Sequence, residues 1–422
     1  MHFRARLDLS WGGIARALGA CVLPHPRARL TARLARPWDD GVPPVTCLSV
    51  RTGFDALLAT LALPPGSEVL LTALTIPDLP RIVRAHGLVP VPVDIDPDTL
   101  APDLVALRSA QSPRARVLVA AHLFGGVVDL AAAREFAASH GLLFVEDVAQ
   151  SWIPGRHLGS TASDVRMFSF GPIKTGTALG GAVLLVRDAA LRARVAAHLA
   201  GHPVQSRWSQ AQRVLKYGTM PLLAMPALFA LFRAACRLAG RDHDPVLRDA
   251  ARSFRGGDLL ARLRQQPSAP LLAMLAWRLD TPGRRVGPRA AVGARLAQAV
   301  DARVPLPGRA MTPHTYWLFP VLAADPEAAI ARLRAAGFDA TTGASSLGAV
   351  APPPERPQAL APNAAWIAAH LLFVPCYPEL PDSAIDRLAT VLVEEGCHRP
   401  LHVPLQVPLH APMAPHHSGT AA

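Results

Sequence analysis

One lysine of this chain lies in a loop that suits covalent chemistry. Residues 167–174 read MFSFGPIK and end at Lys174, and glycines at 180 and 181 close the loop. An amine in such a loop can form an imine with an aldehyde and later act as a general base, provided that burial or a neighbouring cation lowers its pKa. Of the 43 lysines and arginines, only Lys174 and Lys216 are lysines. This scarcity weakens the alternative that Lys174 is an ordinary solvated surface charge.

Two acidic residues, Glu146 and Asp147, stand at the end of a predicted buried strand. Residues 142–152 read LLFVEDVAQSW, and open α/β sheets bind ligands at the carboxyl ends of their strands. A buried acid is costly unless a cationic group meets it, and a protonated pyridine nitrogen is such a group. The alternative is an ordinary strand-end aspartate that caps the following turn.

Short apolar runs and helical patterns alternate around these residues. Strands are predicted at 69–71, 89–95, 116–121, 142–145, 166–170 and 182–186, and helices at 54–63, at 77–86 and after Asp129. Continuous apolar strands separated by helices are typical of a mostly parallel sheet that is covered on both faces. We therefore predict an α/β fold for this part of the chain.

The whole chain divides into five predicted regions. They are an N-terminal segment (1–45), a large domain (46–190), a helical connecting region (191–290), a small C-terminal α/β domain (291–398) and a Pro/His-rich tail (399–422). The small domain is predicted from strands at 316–322 and 371–374 and from helices at 326–336 and 383–394. The composition of the tail predicts disorder. Its histidines could bind metal, but a solvated tail is the favoured interpretation, and no metal site is predicted.

Composition limits the cellular setting and the partners. Five scattered cysteines without a C-x-x-C pair, no signal peptide and no apolar run of membrane-spanning length predict a cytoplasmic protein. The formal charge of +12 comes mostly from arginine, and a basic surface favours an anionic substrate or a membrane surface. No basic run is interleaved with aromatic residues, so nucleic-acid binding is not expected.

Residues 217–240 are unusually apolar, with Pro221 and Pro226 interrupting the run. A core helix or a dimer helix is the favoured interpretation. The alternative is a helix on a membrane surface, with Arg233 and Arg237 at the headgroups.

Taken in order, the motifs resemble the DegT/DnrJ/StrS family of pyridoxal-phosphate (PLP) dependent sugar aminotransferases. The resemblance covers residues 45–188 closely and 290–395 loosely. It rests on GSEVLLTALT (66–75), GLVPVPVDIDPDTLAPD (87–103), HLFG (122–125), EDVAQ (146–150), GRHLGS (155–160) and SDVRMFSFGPIKTGTALGG (163–181). It implies the fold type I of PLP-dependent transferases, with a mostly parallel seven-stranded sheet in the large domain and a smaller C-terminal α/β domain.

The resemblance also implies individual roles. Lys174 would hold the cofactor covalently, and Asp147 would pair with its pyridine nitrogen. Gln150 would lie near the ring hydroxyl. The hydroxyl of Ser169 and the backbone at Gly53 would contact the phosphate, for which a helix N-terminus is suited on physical grounds.

Two cofactor-binding positions depart from the family pattern. Phe54 stands where the family commonly has a small hydroxyl residue, which would remove one hydrogen bond to the phosphate. Ile76 stands where an aromatic residue commonly stacks on the cofactor ring, so here the contact would be aliphatic packing.

The implied activity is that of an aminotransferase. A homodimer would transfer an amino group from an amino acid donor, glutamate or glutamine by resemblance, to a keto acceptor such as a nucleotide-linked keto sugar. Two alternatives remain: a degenerate non-catalytic or regulatory member of the same fold, or a different PLP reaction, such as that of a dehydratase or lyase. Related dehydratases replace the lysine by histidine, so Lys174 argues against that branch.

Overall fold

The computed structural model describes residues 1–4, 6–38, 41–251, 259–281, 283–300 and 303–394. The predicted Pro/His-rich tail lies outside the described residues. The N-terminal segment forms helices α1 (Trp11–Val22) and α2 (Arg27–Ala35). The hydroxyl of Ser10 caps α1 by accepting a hydrogen bond from the Gly13 amide at 3.2 Å.

A seven-stranded sheet forms the centre of the molecule. In chain order this part contains β1 (Val45–Cys47), α3 (Val50–Leu61), β2 (Glu68–Thr72), β3 (Leu74–Thr75), α4 (Asp78–Ala85), β4 (Val89–Val93), α5 (Leu104–Ala110), β5 (Ala115–Ala121), α6 (Ala131–Ser139), β6 (Leu143–Asp147), β7 (Val165–Ser169) and β8 (Ala182–Val186). The strand order is β1-β8-β7-β6-β5-β2-β4. Strands β4, β2, β5, β6 and β7 run parallel, and β8 is antiparallel to both of its neighbours. The predicted mostly parallel sheet is confirmed.

The apolar runs of the sequence become strands that are buried on both faces. Leu70, Leu118 and Phe144 point into one hydrophobic cluster. Their chain neighbours Val69 and Val119 point into a second cluster on the opposite face. Because successive side chains of a strand alternate between faces, a strand that is covered on both sides must be apolar throughout.

Helices dominate the next hundred residues, and a small α/β unit follows. The helices are α7 (Ala189–Ala200), α8 (Arg207–Gly218), α9 (Met220–Leu223), α10 (Pro226–Leu238), α11 (His243–Ala251), α12 (Leu259–Leu263) and α13 (Ala269–Asp280). The small unit contains α14 (Val286–Val300), β9 (Phe319–Leu322), α15 (Pro326–Ala335), β10 (Gly348–Ala349), α16 (Pro362–His370), β11 (Leu371–Val374) and α17 (Asp382–Glu394). Strands β9 and β11 pair antiparallel.

Two predicted element boundaries are wrong. The helix expected from residue 54 begins four residues earlier, at Val50, because the Ser49 hydroxyl caps it by accepting from the Thr52 amide. The strand expected from residue 316 begins at Phe319. Tyr316 has a φ of 46°, which lies outside the β region and cannot continue a strand.

Residues 348–364 form hydrogen bonds with the large domain rather than with β9 and β11. Strand β10 pairs with β3, and the Val350 amide donates to the Ala73 carbonyl at 2.7 Å. Arg356 donates to the carboxylate of Glu68 at 2.9 Å. The amides of Asn363 and Ala364 both donate to the carboxylate of Asp94.

No single helix among the described residues is long and apolar enough to cross a membrane. The segments Arg207–Leu223 and Pro226–Leu238 meet the length and composition criteria together, but they are bent by 104° relative to each other.

Arg4, near the start of the chain, is bound to α11 and to the small unit by buried charges. Arg4 Nη1 donates to Asp339 Oδ1 at 2.6 Å, and its other terminal nitrogen pairs with Asp244. The Asp339 side chain has no solvent exposure. These contacts connect Arg4 with residues that are 240 and 335 positions further along the chain.

Asp339→Ala is expected to lower the free energy of unfolding by about 3–5 kcal/mol, because it leaves the buried Arg4 guanidinium short of one partner. Urea unfolding followed by circular dichroism measures this loss. Asp386→Ala is the matched control, since Asp386 pairs with Arg295 at an exposed site and its loss is expected to cost less than about 1 kcal/mol. Equal losses in the two variants would contradict the assignment of a buried tie at Asp339.

Candidate active site

The loop that carries Lys174 is fixed by a segment from the N-terminus of the chain. The Gly176 amide donates to Asp8 Oδ2 at 2.7 Å. Gly176 has a φ of +65°, and a Cβ there would lie 2.4 Å from the ring of Trp152. A residue with a side chain would therefore be strained at this position and would displace the indole.

The same loop is fastened from the other side by residues near the small unit. Trp317 Nε1 donates to the Ile173 carbonyl at 2.6 Å. Arg289 donates to Thr175 Oγ1 and to the Thr315 carbonyl, each at 2.9 Å. Three separate parts of the chain thus determine where Lys174 stands.

Trp317 also contacts the lysine itself. Lys174 Nζ lies 3.9 Å from the centroid of the Trp317 ring, within the range of a cation–π interaction. The indole is buried, with 8% of its surface exposed. Trp317 was not predicted as a site residue. It lies more than 140 residues after the Lys174 loop, and no sequence motif connects the two.

Lys174 and Asp147 affect each other's ionisation. Part of the Lys174 side chain reaches the surface of a cavity, but protein atoms surround its amine, and this burial lowers its pKa to about 7 although the Asp147 carboxylate acts in the opposite direction. Burial raises the pKa of Asp147, while the Ala149 amide and Lys174 act to lower it. The structure therefore brings together the two residues on which the predicted chemistry depends.

A third charged group, Arg51, belongs to the same cluster and was not predicted. It lies in the first turn of α3, and its Nε donates to Asp78 Oδ2, at the start of α4, at 2.5 Å. Its positive charge lowers the pKa of both Lys174 and Asp147. Arg51 thus adds a cation at the helix N-terminus where an anion is expected to bind.

The pKa of Glu146 is shifted in the opposite direction from the pKa of its neighbour Asp147. It accepts hydrogen bonds from His122 Nε2 at 2.9 Å, from Ser163 Oγ at 2.5 Å and from the Ser160 amide at 2.9 Å. These bonds outweigh its burial and lower its pKa to about 2. His122 Nδ1 accepts from the Val128 amide, which leaves Nε2 to carry the proton that it shares with Glu146.

The HLFG and EDVAQ motifs meet through this network. His122 belongs to the first motif and Glu146 to the second, and their contact lies between the ends of β5 and β6. His157 packs edge-on against the His122 ring, with centroids 4.9 Å apart. Burial lowers the pKa of His157 to about 4. The network fixes the strand end that presents Asp147.

Gln150 and Ser169 lie on either side of this strand end. Gln150 Oε1 accepts from the Phe124 amide at 3.0 Å, which joins it to the HLFG loop. Ser169 ends β7, and its hydroxyl lies on the same side of Gly171 as the Lys174 side chain. The side chains of Ser169 and Lys174 therefore lie close to each other.

The remaining predicted cofactor positions surround the start of α3. The Gly53 amide donates to the Ser49 carbonyl at 3.1 Å, so it is engaged within the helix. A Cβ at Gly53 would lie 2.3 Å from Leu184, which explains the glycine by packing. Phe54 is fully buried in the hydrophobic cluster behind the helix, and Ile76 packs against the same cluster.

A cavity of about 170 Å³ lies beside Lys174. Both lysines of the chain line it, together with Arg6, Arg285 and Arg289. Much of the remaining wall is apolar and includes Phe3, Leu7, Tyr217, Met220, Leu223 and Phe373. Asp8 also lines the cavity and pairs with Arg285. The cations outnumber this acid, so the cavity suits an anionic ligand.

The lowered pKa of Lys174 predicts unusual reactivity in cofactor-free protein. Its reaction with trinitrobenzenesulfonate is expected to be half-maximal near pH 7, since only the unprotonated amine reacts and its pKa is about 7. Peptide mass spectrometry separates this reaction from that of Lys216. In Asp147→Asn the midpoint should fall below that of the original protein, because the carboxylate that favours the protonated amine is gone. A midpoint near the ordinary lysine value of 10.5 would contradict the burial of the amine.

Known proteins resemble this chain in its large domain. Residues 44–219 match the sequence profile of the DegT/DnrJ/EryC1/StrS aminotransferase family. The chain is 36% identical over 156 residues to the erythromycin biosynthesis sensory transduction protein EryC1 of Saccharopolyspora erythraea, which covers 35% of this chain and 42% of that protein. It is 37% identical over 155 residues to the dTDP-3-amino-3,4,6-trideoxy-alpha-D-glucose transaminase of Streptomyces venezuelae, covering 35% and 41%. The matched part thus spans about two fifths of each curated relative.

The fold extends the likeness over nearly the whole chain. The crystal structure of the aminotransferase TlmJ from Streptoalloteichus hindustanus superimposes with a TM-score of 0.66 at 21% sequence identity, covering 93% of this chain and 98% of TlmJ. The predicted fold class, that of the PLP-dependent transferases, is confirmed. The resemblance to the DegT/DnrJ/EryC1/StrS aminotransferase family is thus confirmed over residues 44–219, which make up less than half of this chain.

Proposed function

We propose that the protein is a PLP-dependent aminotransferase that transfers an amino group from an amino acid donor to a keto acceptor. The proposal rests mainly on the position of Lys174 beside Asp147. One is a buried amine with a pKa of about 7, and the other is a buried carboxylate at the end of β6. The family match over residues 44–219 and the fold support the same activity.

The residues of the site match the groups of PLP. Lys174 offers the amine for the cofactor aldehyde, and Asp147 offers a carboxylate for the pyridine nitrogen. Ser169, Arg51 and the first turn of α3 offer a hydroxyl, a guanidinium and a helix N-terminus for the phosphate. Arg51 stands three residues before Phe54, the position at which the family's hydroxyl is missing. We infer that the guanidinium of Arg51 takes over part of that hydroxyl's role.

When bound, PLP supplies an aldehyde for condensation with amines and a ring that takes up an electron pair from the substrate carbon. The protein's part is to hold charge and move protons. The Asp147 carboxylate keeps a ring proton in place by pairing with it in a site of low polarity. Lys174, with its pKa near neutrality, can accept and return a proton at Nζ, which is the requirement for a general base. Trp317 covers the amine and limits its access to water.

The cations of the cavity support an anionic acceptor. Arg289 is buried, and no described carboxylate lies within ion-pair distance of it. A nucleotide-linked keto sugar carries a diphosphate that these cations would attract, and one curated relative is named as a transaminase of a dTDP-linked sugar. Glutamate or glutamine remains the donor that the resemblance implies.

The proposed assembly is a homodimer in the cytoplasm, which rests on the resemblance. The second candidate function is that of a regulatory, non-catalytic member, and a relative named as a sensory transduction protein keeps it open. The covalent cofactor bond distinguishes the two candidates. An enzyme must form it at Lys174 and lose it again on meeting an amino donor, whereas a regulatory protein need do neither.

Lys174→Ala is expected to abolish the visible absorbance band of lysine-bound PLP, because no other residue of the loop offers an amine. Spectroscopy of the purified protein measures this band, and addition of L-glutamate tests whether it is exchanged. Turnover is expected to fall by about 10²–10⁴-fold or more, the range for a lost general base. Lys216→Ala is the matched control, and it should keep the band. A band that survives in Lys174→Ala would show that the cofactor lysine is misassigned.

Asp147→Asn is expected to keep the absorbance band but to slow turnover by roughly two to four decades. Loss of one member of a buried charge pair typically costs about 3–5 kcal/mol, and each 1.36 kcal/mol in the barrier is tenfold in rate. Cofactor affinity should fall less, since the contacts of Lys174 and of the phosphate site remain. The readouts are the spectrum with PLP and the rate of the half-reaction with glutamate. Turnover at the original rate would show that Asp147 only caps the strand.

A further inference from the structure

A long stretch of the chain carries positive charge without any acid. Residues 189–241 contain eight lysines and arginines and no aspartate or glutamate, whereas the whole chain has 31 acidic residues. This stretch includes α7, α8, α9 and α10. A surface of one charge sign over more than 50 residues attracts anions and repels a second surface of the same kind.

Helix α10 exposes apolar side chains rather than burying them. Of its described residues, Phe229 alone is buried. Leu231 is 67% exposed and Leu238 is 91% exposed. They are seven residues apart, and Leu228 lies three residues before Leu231, so the three leucines share one face of the helix. An apolar face of this kind is costly in water unless something covers it.

The exposed apolar surface continues across the bend before α10. Leu222 and Met225 are 41% and 52% exposed at the junction of α9 and α10. The bend is so sharp, at 104°, that the two segments cannot form one straight helix. Helix α10 alone has 13 residues, or about 20 Å at 1.5 Å per residue, which is shorter than the roughly 30 Å hydrocarbon core of a bilayer.

Arginines lie on the side of α10 away from the leucine face. Arg233 and Arg237 are one turn apart on α10, and Arg241 follows the end of the helix. Within the described part of the chain, none of these three arginines forms an ion pair with a carboxylate. Their charges are therefore not neutralised by described carboxylates, and they remain available to an anionic surface.

We propose that α9 and α10 dock on the surface of an anionic lipid bilayer. The face of Leu228, Leu231 and Leu238 would enter the boundary between headgroups and acyl chains, and Arg233 and Arg237 would contact lipid phosphates. Helices that lie in the plane of a membrane surface have this arrangement, with apolar side chains on one face and cations on the other. The proposal does not depend on the proposed enzymatic function.

Charge argues against a second copy of the chain as the occupant. A two-fold interface brings the same patch of both copies together. Here that would bring together two copies of a segment that carries eight basic residues and no acid. Anionic lipid neutralises these charges, and at the same time its acyl chains cover the leucines.

Docking would also determine where the cavity beside Lys174 opens. Lys216, Tyr217 and Met220 belong to α8 and α9 and line this cavity. One wall of the cavity would then lie next to the lipid surface, which gives amphiphilic ligands a short path to it.

Flotation of the full-length protein with lipid vesicles tests the proposal. Vesicles of phosphatidylcholine mixed with phosphatidylglycerol are expected to bind the protein, and binding should weaken as salt rises, since exposed charges are screened. Leu231→Glu/Leu238→Glu should reduce binding about tenfold or more by removing the apolar anchor. Arg233→Gln/Arg237→Gln should reduce it to a similar degree on anionic vesicles. Leu360→Glu, at a position 64% exposed outside this segment, is the matched control and should bind as the original protein does.

Two outcomes would overturn the proposal. One is equal, weak binding of the original protein and the leucine variant to anionic vesicles at low salt. The other is a leucine variant that sediments as a smaller species than the original protein, which would identify this face as a subunit interface. Circular dichroism and the visible cofactor band show whether each variant is folded, so loss of binding can be separated from loss of structure.

Discussion

The interaction between Lys174 and Asp147 is the constraint on which the site depends. Burial makes both charges unfavourable, and each partly compensates the other. A surface lysine with an ordinary pKa would be protonated at neutral pH and could not act as a base. The sheet contributes by bringing Asp147 out at the end of β6 and Ser169 at the end of β7. The chemistry that we propose is therefore a consequence of where two neighbouring strands end.

The position of the lysine is maintained by contacts that span the chain. Asp8 fastens the loop from the N-terminus, and Arg289 and Trp317 fasten it from the side of the small unit. None of these residues lies within the part of the chain that matches the family. The large domain provides the charges, while the flanking regions provide the rigidity. This division agrees with the two comparisons. The family match is confined to residues 44–219, whereas the fold is shared over nearly the whole chain at low sequence identity.

The sequence predicted the large domain well because its signals are local. Apolar runs such as those at 116–121 and 182–186 became strands at nearly the same residues, and the spacing from Ser169 to Lys174 placed both at one end of the sheet. Signals that depend on tertiary contacts were missed. Trp317 and Arg51 reach the site only through packing of distant segments, and the start of α3 depended on a cap at Ser49 that was not recognised. The roles of Gln150, Gly53, Phe54 and Ile76 toward a cofactor remain predictions.

The pairing of β10 with β3 limits how the small unit can move. Residues 348–364 are hydrogen-bonded to Ala73, Glu68 and Asp94 of the large domain. They are therefore held by the large domain, although in the chain they lie between strands β9 and β11 of the small unit. A hinge motion that opens or closes the site would therefore not include residues 348–364. The backbone would have to bend before and after this segment. The moving body would consist of α14, β9, β11, α15 and α17, which share one hydrophobic cluster. The backbone next to Ile76 would not take part in this motion.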